Sequence, residues 1–345
     1  MNSVPGKRLR FVFVFPFLLL ALALLPACSD NSSGGGTPPA TPGAPTTIKT
    51  NDLRITGTGT IVVVRGGWEV SGNSIFFSND GGSTWNPATG CDGGMISISK
   101  FGNLTAAGTV YNPTTNSHTP RICTSTNGET WTVLADYPAY PDFMFTAVWH
   151  EQFTLFAAGA MHKTSGECFH VFADVGGNYN YGNMMNAIAG CNGLPNPIQG
   201  IRNIAGAPFF VGGPNPGLVQ GGMNGVFNTL VDTPEFRIFE SHLDGSIDTY
   251  MAAGVDGALV SSTSFTGFAP VTTPATTTIN DITSNYIDIA VAVGDAGLIM
   301  TSPDGTNWTL VNSGTVANLH ATAWDSANSR FVIAGENSTI IFHTP

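Results

Sequence analysis

Hydrophobic positions along this chain of 345 residues follow two unlike patterns. The first is one unbroken apolar run from Phe11 to Leu25, preceded by Lys7, Arg8 and Arg10 and by no acidic residue. A basic stretch leading into a short apolar core has the form of an export signal. The run falls short of the roughly 20 residues a spanning helix needs, and Pro16 weakens it as a permanent helix. The second pattern runs from Thr47 to the end. Short β-rich stretches are broken by Gly, Asn, Asp and Pro, with no heptad or amphipathic helical period. That rhythm predicts many short strands, so the class is all-β. Between the two, residues 29–46 offer no large apolar side chain to bury and predict a flexible tether.

The strand pattern repeats. A small or apolar strand ends in glycine at Gly66, Gly108, Gly159, Gly212, Gly254, Gly294 and Gly335. Spacings of about 40–50 residues with four short strands per unit are the signature of a β-propeller. Each unit reads as an A-strand, a B-strand up to the glycine, a C-strand, a tight turn and a D-strand. The sixth is the clearest: 279–284, 289–294, 298–302 and 308–311. The seventh stops after its C-strand, 339–344, and the stretch 46–50 is free to supply the missing D-strand. The expected fold is therefore a single propeller over 47–345, with seven four-stranded blades closed by an N-terminal strand. Six blades plus a decayed segment near 182–200 is the rival parse.

Three C–D turns share one wording: Ser78, Asp80, Gly82 and Trp85; Ser125, Asn127 and Trp131; and Ser302, Asp304 and Trp308. An Asp or Asn side chain can accept the turn's N–H groups, Gly takes the left-handed conformation, and Trp packs beside the hairpin. These turns resemble Asp-boxes, the bacterial neuraminidase repeat, and the resemblance implies that Asp80 and Asp304 cap their own turns and are neither catalytic nor calcium ligands. The sixth and seventh units are also similar to photosystem II assembly-factor-like propellers. The segment Leu25-Pro26-Ala27-Cys28 resembles the lipobox of bacterial lipoproteins, with a less usual proline. This implies that a signal peptide, 1–27, is cleaved, that Cys28 is lipidated, and that 28–46 tethers the propeller to a membrane. Ser29 leans towards the outer membrane, facing periplasm or exterior. An ordinary secretory signal with an incidental cysteine is the alternative.

Charge and chemistry narrow the function. Lys and Arg number 12 against 23 Asp and Glu, for a net of −11. This excludes nucleic acid, which needs a basic face, and docking on anionic lipid by charge. Cys91, Cys123, Cys168 and Cys191 make an even set in an exported domain. Disulfides Cys91–Cys123 and Cys168–Cys191 are expected, with free buried thiols or a metal as alternatives. No CxxC or HExxH spacing points to a metal, and no cofactor is expected. Phe236-Arg237-Ile238-Phe239 only partly matches the sialidase FRIP motif, and no carboxylate pair stands out for glycoside hydrolysis. Trp149 and Trp324 occupy matching A-strand positions and read as core. The expected function is a monomeric, membrane-anchored binding or assembly module for protein or glycan; a hydrolase with its site in the axial funnel is the alternative. Four-stranded blades put B–C and D–A loops on one face. The B–C loops are long in the first three units, and the loop into unit four, roughly 182–197, is long too, so Trp68, Tyr111, His118, His162 and Met184 are expected to border a recognition surface. Drift in tolerant loops would leave the same pattern.

Overall fold

Alternating apolar residues drive each Gly-ended unit into an antiparallel meander, one face towards each neighbour. A computed structural model describes residues 52–345 apart from 69, 71, 151–155, 166–167, 174–187, 190–197, 205–206, 214–215, 222–226 and 244–247. Blade one is β1 (Asp52–Ile55), β2 (Ile61–Val64), β3 (Ile75–Ser78) and β4 (Asn86–Pro87). Blade two is β5 (Gly94–Phe101), β6 (Asn103–Asn112), β7 (Ser117–Ser125) and β8 (Thr132–Asp136). Blade three is β9 (Phe143–His150), β10 (Phe156–His162), β11 (Cys168–Ala173) and β12 (Ile188–Ala189). Blade four is β13 (Ile198–Ile204), β14 (Ala207–Gly212), β15 (Leu218–Gly221) and β16 (Phe227–Val231). Blade five is β17 (Phe236–Leu243), β18 (Asp248–Gly254), β19 (Leu259–Ser262) and β20 (Ala269–Pro270). Blade six is β21 (Ile279–Ser284), β22 (Ala290–Gly294), β23 (Ile299–Ser302) and β24 (Thr309–Leu310). The last sheet is β25 (Leu319–Asp325), β26 (Arg330–Gly335) and β27 (Ile340–His343).

The expectation of seven four-stranded blades is thus corrected. Six blades have four strands, and the remaining sheet has three. The outer edge of β27 is where a further strand would pair, and 46–50, expected there, lies outside the described residues. Each innermost strand packs on the next from β1 to β25, and β25 packs back on β1. Apolar clusters fill the gaps between sheets. Leu53, Ile61 and Val63 of blade one meet Ala321, Val332 and Ala334 of the last sheet, all nearly or fully buried. Full burial of a Leu, Ile or Val contributes about 1.5–3 kcal/mol, so the sheets are held mainly by these inter-sheet seams.

The recurring glycine has a geometric cause. Opposite Gly108, Gly254, Gly294 and Gly335, the A-strand carries a β-bulge that brings the two backbones together. A Cβ on Gly294 would lie 2.0 Å from the Thr278 carbonyl oxygen, and one on Gly335 would lie 2.2 Å from that of Asn318. The bulge adds one unpaired residue to the innermost strand and turns it inward.

Two B-strands do not end at their glycine as expected. β6 runs past Gly108 to Asn112, and β10 runs past Gly159 to His162. The B–C segment of blade two is a hairpin, not a loop, because pairing continues through Val110↔Thr119 and Tyr111↔His118. Trp149 and Trp324 pack into inter-sheet clusters, as their matching positions implied.

Candidate functional site

The three turns that resemble Asp-boxes form as their residue types dictate. In the box of blade six, Gly305 N donates to Ser302 Oγ at 2.8 Å, and Thr306 N and Asn307 N donate to Asp304 Oδ1 at 2.8 and 2.7 Å. Asn127 Oδ1 accepts the matching bonds from Glu129 N and Thr130 N, both at 3.0 Å. In the first box Asp80 accepts from Ser78 Oγ and from Thr84 N, and Gly82 N donates to Ser78 Oγ. The indoles of Trp131 and Trp308 donate to Gly128 O and Gly305 O, while Trp85 packs on the seam with the last sheet. Gly305, at φ +74°, faces Thr249 and Met251 of blade five. These side chains are spent on the turns. A fourth copy, missed in the sequence, spans Ser262 to Phe268. Ser264 N donates to Ser262 Oγ, and Phe268 packs where the tryptophan would lie. Its signal was weakened because Ser264 replaces Asp and Phe268 replaces Trp.

Two cavities follow from the ring. The axial one, about 570 Å³, is lined by the bulged residues Ile96, Thr146, Gln199, Arg237, Asn280 and His320, together with Asp52, Arg54, Arg202, Asp281 and Asp295. None of these was singled out as a site from the sequence. The A-strand partner of each repeated glycine is the signal that would have found the bulged ones. The acids here hold the ring together. Asp52 Oδ2 accepts from Ile98 N of blade two at 2.9 Å, and its Oδ1 accepts from Arg54 Nη1 at 2.7 Å. Asp281 Oδ2 accepts from Thr322 N of the last sheet at 2.8 Å, and its Oδ1 from Ile282 N at 2.9 Å. Asp295 accepts from Asn280 Nδ2 at 2.8 Å. Burial pushes the Asp281 carboxyl up to about 7, against the pull of Arg54. Arg202 pairs with Glu240 and lies 4.5 Å from the Trp149 ring centroid. Each of the three lining acids named here is bound to a backbone or side-chain N–H.

The second cavity, about 540 Å³, opens on the B–C face and is lined by Trp68, Tyr111, Asn116, His118, Asp142, Lys163 and Thr164. Three blades build it. Trp68 comes from the segment after β2, and Tyr111 and His118 are cross-strand partners on the β6–β7 hairpin. Lys163 and Thr164 come from the turn after β10. His118 is buried, and its ring meets Trp68 edge-on at 5.1 Å and Tyr111 at 5.2 Å. Its Nε2 carries a proton, because it donates to the Trp68 carbonyl oxygen at 3.0 Å. Asp142, at φ +61°, precedes β9 and accepts from His118 N at 3.0 Å. That backbone bond, with the His118 side chain, holds its carboxyl below the usual range despite partial burial. Tyr111 donates to Asn116 Oδ1 at 2.8 Å.

Of the five residues expected on the recognition face, Trp68, Tyr111 and His118 line this cavity. His162 stands beside it, capping the 163–165 turn through Nδ1 and meeting the Phe143 ring edge-on at 4.9 Å. Met184 lies outside the described residues. Asp142 and Lys163 were not expected as site residues; the first is a loop aspartate with no local motif. Cys91 and Cys123 form the expected disulfide, tying the segment before β5 to β7. Cys28, Cys191 and the Cys168 side chain lie outside the described residues. Among the described residues, no cluster of three or more His, Cys, Asp or Glu could hold a metal ion.

These features define a single all-β propeller whose axial acids staple the ring and whose aromatic pocket opens on one face. No family model matches the sequence, and no curated protein matches it. Solved structures do match. YCF48 bound to D1 peptide aligns with a TM-score of 0.58 at 14% identity, covering 87% of this chain and 93% of that one. YCF48 from Cyanidioschyzon merolae aligns at 0.57 and 16%, covering 88% and 97%. Virginiamycin B lyase from Staphylococcus aureus aligns at 0.57 and 12%, covering 86% and 95%. At these identities the likeness shows the propeller fold.

Proposed function

We propose that this chain is a lipid-anchored extracytoplasmic binding module whose propeller receives a polypeptide segment of a partner protein at the Trp68–Tyr111–His118 pocket. One observation carries the reading: aromatic side chains from separate blades converge in one open cavity on the face where insertions collect. Trp and Tyr supply large contact area at low conformational cost and dominate binding hot spots. The peptide complex named for the similar YCF48 propeller supports a protein partner. The tied carboxylates of the axial cavity weigh against the hydrolase alternative. Anchoring rests on the lipobox-like segment ending at Cys28, placed directly after the apolar run and before the tether.

The test is recovery of envelope proteins with the tagged mature chain, wild type against Trp68→Ala/Tyr111→Ala. Loss of each hot-spot aromatic should weaken binding by about 2 kcal/mol or more, enough to remove the partner from the recovered set. Unchanged recovery by a double variant that melts like wild type would overturn the assignment of this face.

A further inference from the structure

The aromatic pocket already holds a cation, and the cation is the protein's own. Lys163 Nζ lies 5.7 Å from the Trp68 ring centroid. The stem of that lysine is fixed at its backbone, where Lys163 N donates to Asp142 O at 2.8 Å and the turn beyond is capped by His162. Its side chain is exposed, and an exposed cation–π contact is weak enough to exchange with solvent. The Trp68 and His118 rings stand at 87° with centroids 5.1 Å apart, and the Trp68 carbonyl oxygen accepts from His118 Nε2 at 3.0 Å. Neither of these contacts involves the lysine.

We infer that the seat over Trp68 takes a lysine or arginine side chain of the partner segment, with Lys163 as an internal placeholder that swings into solvent when it enters. This rests on the pocket being the binding site proposed above. The Asp142 carboxylate lines the same cavity and supplies the counter-charge. Ring faces carry negative electrostatic potential, so Trp68 and Tyr111 attract a cation and repel an anion; the pocket does not suit an acidic side chain recruited by Lys163. The net charge of −11 draws basic segments towards the chain before contact.

The test titrates the mature chain, by NMR, with four blocked pentapeptides that carry arginine, lysine, citrulline or glutamate between glycines. Arginine and lysine peptides should shift the Trp68 indole resonance; the citrulline and glutamate peptides should not. Lys163→Ala, at an exposed position that leaves the fold intact, should strengthen the arginine peptide roughly two- to fivefold by removing the competitor. Asp142→Asn should weaken it, and Trp68→Ala should abolish it. Preference for glutamate, equal binding of citrulline and arginine, weaker arginine binding by Lys163→Ala, or no binding of any peptide would each overturn the inference. The partner-recovery experiment separates the two readings. If Trp68→Ala/Tyr111→Ala loses the partner while the peptides fail, the binding face stands and the cationic seat falls. If the partner is retained, the face itself falls.

Discussion

Asp281 is the residue most out of place by its chemistry. It follows the bulge at Asn280, is nearly fully buried, and accepts N–H bonds from its own strand and from β25. Desolvation raises its carboxyl to about 7, Asp52 adds to this, and Arg54, Arg202 and the Thr322 N–H oppose it. The native state therefore holds this proton more tightly than the unfolded chain does. Its contribution to stability is complete below the unfolded pKa near 4 and is lost as pH rises towards 7. The thermal midpoint should fall between pH 5 and pH 8, with a slope from this group of at most roughly 1.4 kcal/mol per pH unit. Asp281→Asn should flatten that part of the profile. Identical pH profiles for the two proteins would show that burial does not govern this group.

At the scale of the element, the Asp-box is a turn whose chemistry is local, and the molecule contains its own control. Asn127 accepts in blade two what Asp304 accepts in blade six. Asp304→Asn should therefore preserve the turn and cost less at pH 7 than Asp304→Ala, for which about 1–2 kcal/mol is expected through unmet turn N–H groups. The charge strengthens these bonds at neutral pH and is lost in acid. Burial raises the Asp304 carboxyl, but the Asn307 backbone, its amide and Thr306 outweigh that and hold it well below the usual range. Its stabilisation is present above pH 4 and lost as pH falls further. Thermal melts from pH 7 to pH 3 should show the asparagine variant losing less than wild type; equal acid losses would place the stabilisation elsewhere.

For the whole molecule the outstanding claim is the anchor. Several acyl chains on one residue bind a membrane stably, since each buried methylene contributes about 0.8 kcal/mol. Cys28→Ser removes the acceptor thiol while leaving the propeller untouched. On fractionation the variant should move from the membrane pellet to the soluble envelope or the medium; the same membrane-bound share as wild type would remove lipid as the tether.

Local information was enough for much of this architecture. Strand runs such as 279–284, the Asp-box turns and the spaced glycines all arise from contacts within a few dozen residues, so they are written as short motifs. The Cys91–Cys123 bond was reachable because its partners fall in one repeat interval. The same local logic grouped Trp68, Tyr111 and His118 on one face, where they line one cavity. What the tertiary structure alone decided is long-range. Pairing past Gly108 set Tyr111 opposite His118 where a loop was expected, and six four-stranded blades with one three-stranded sheet replaced seven equal ones. Arg237, Asn280 and His320 line the axial cavity at bulges where the facing glycine admits a close backbone approach. Asp142 and Lys163 meet Trp68 across blades through no pattern in the chain. Their encounter depends on how successive sheets are rotated about one axis, and packing of the inter-sheet seams sets that rotation.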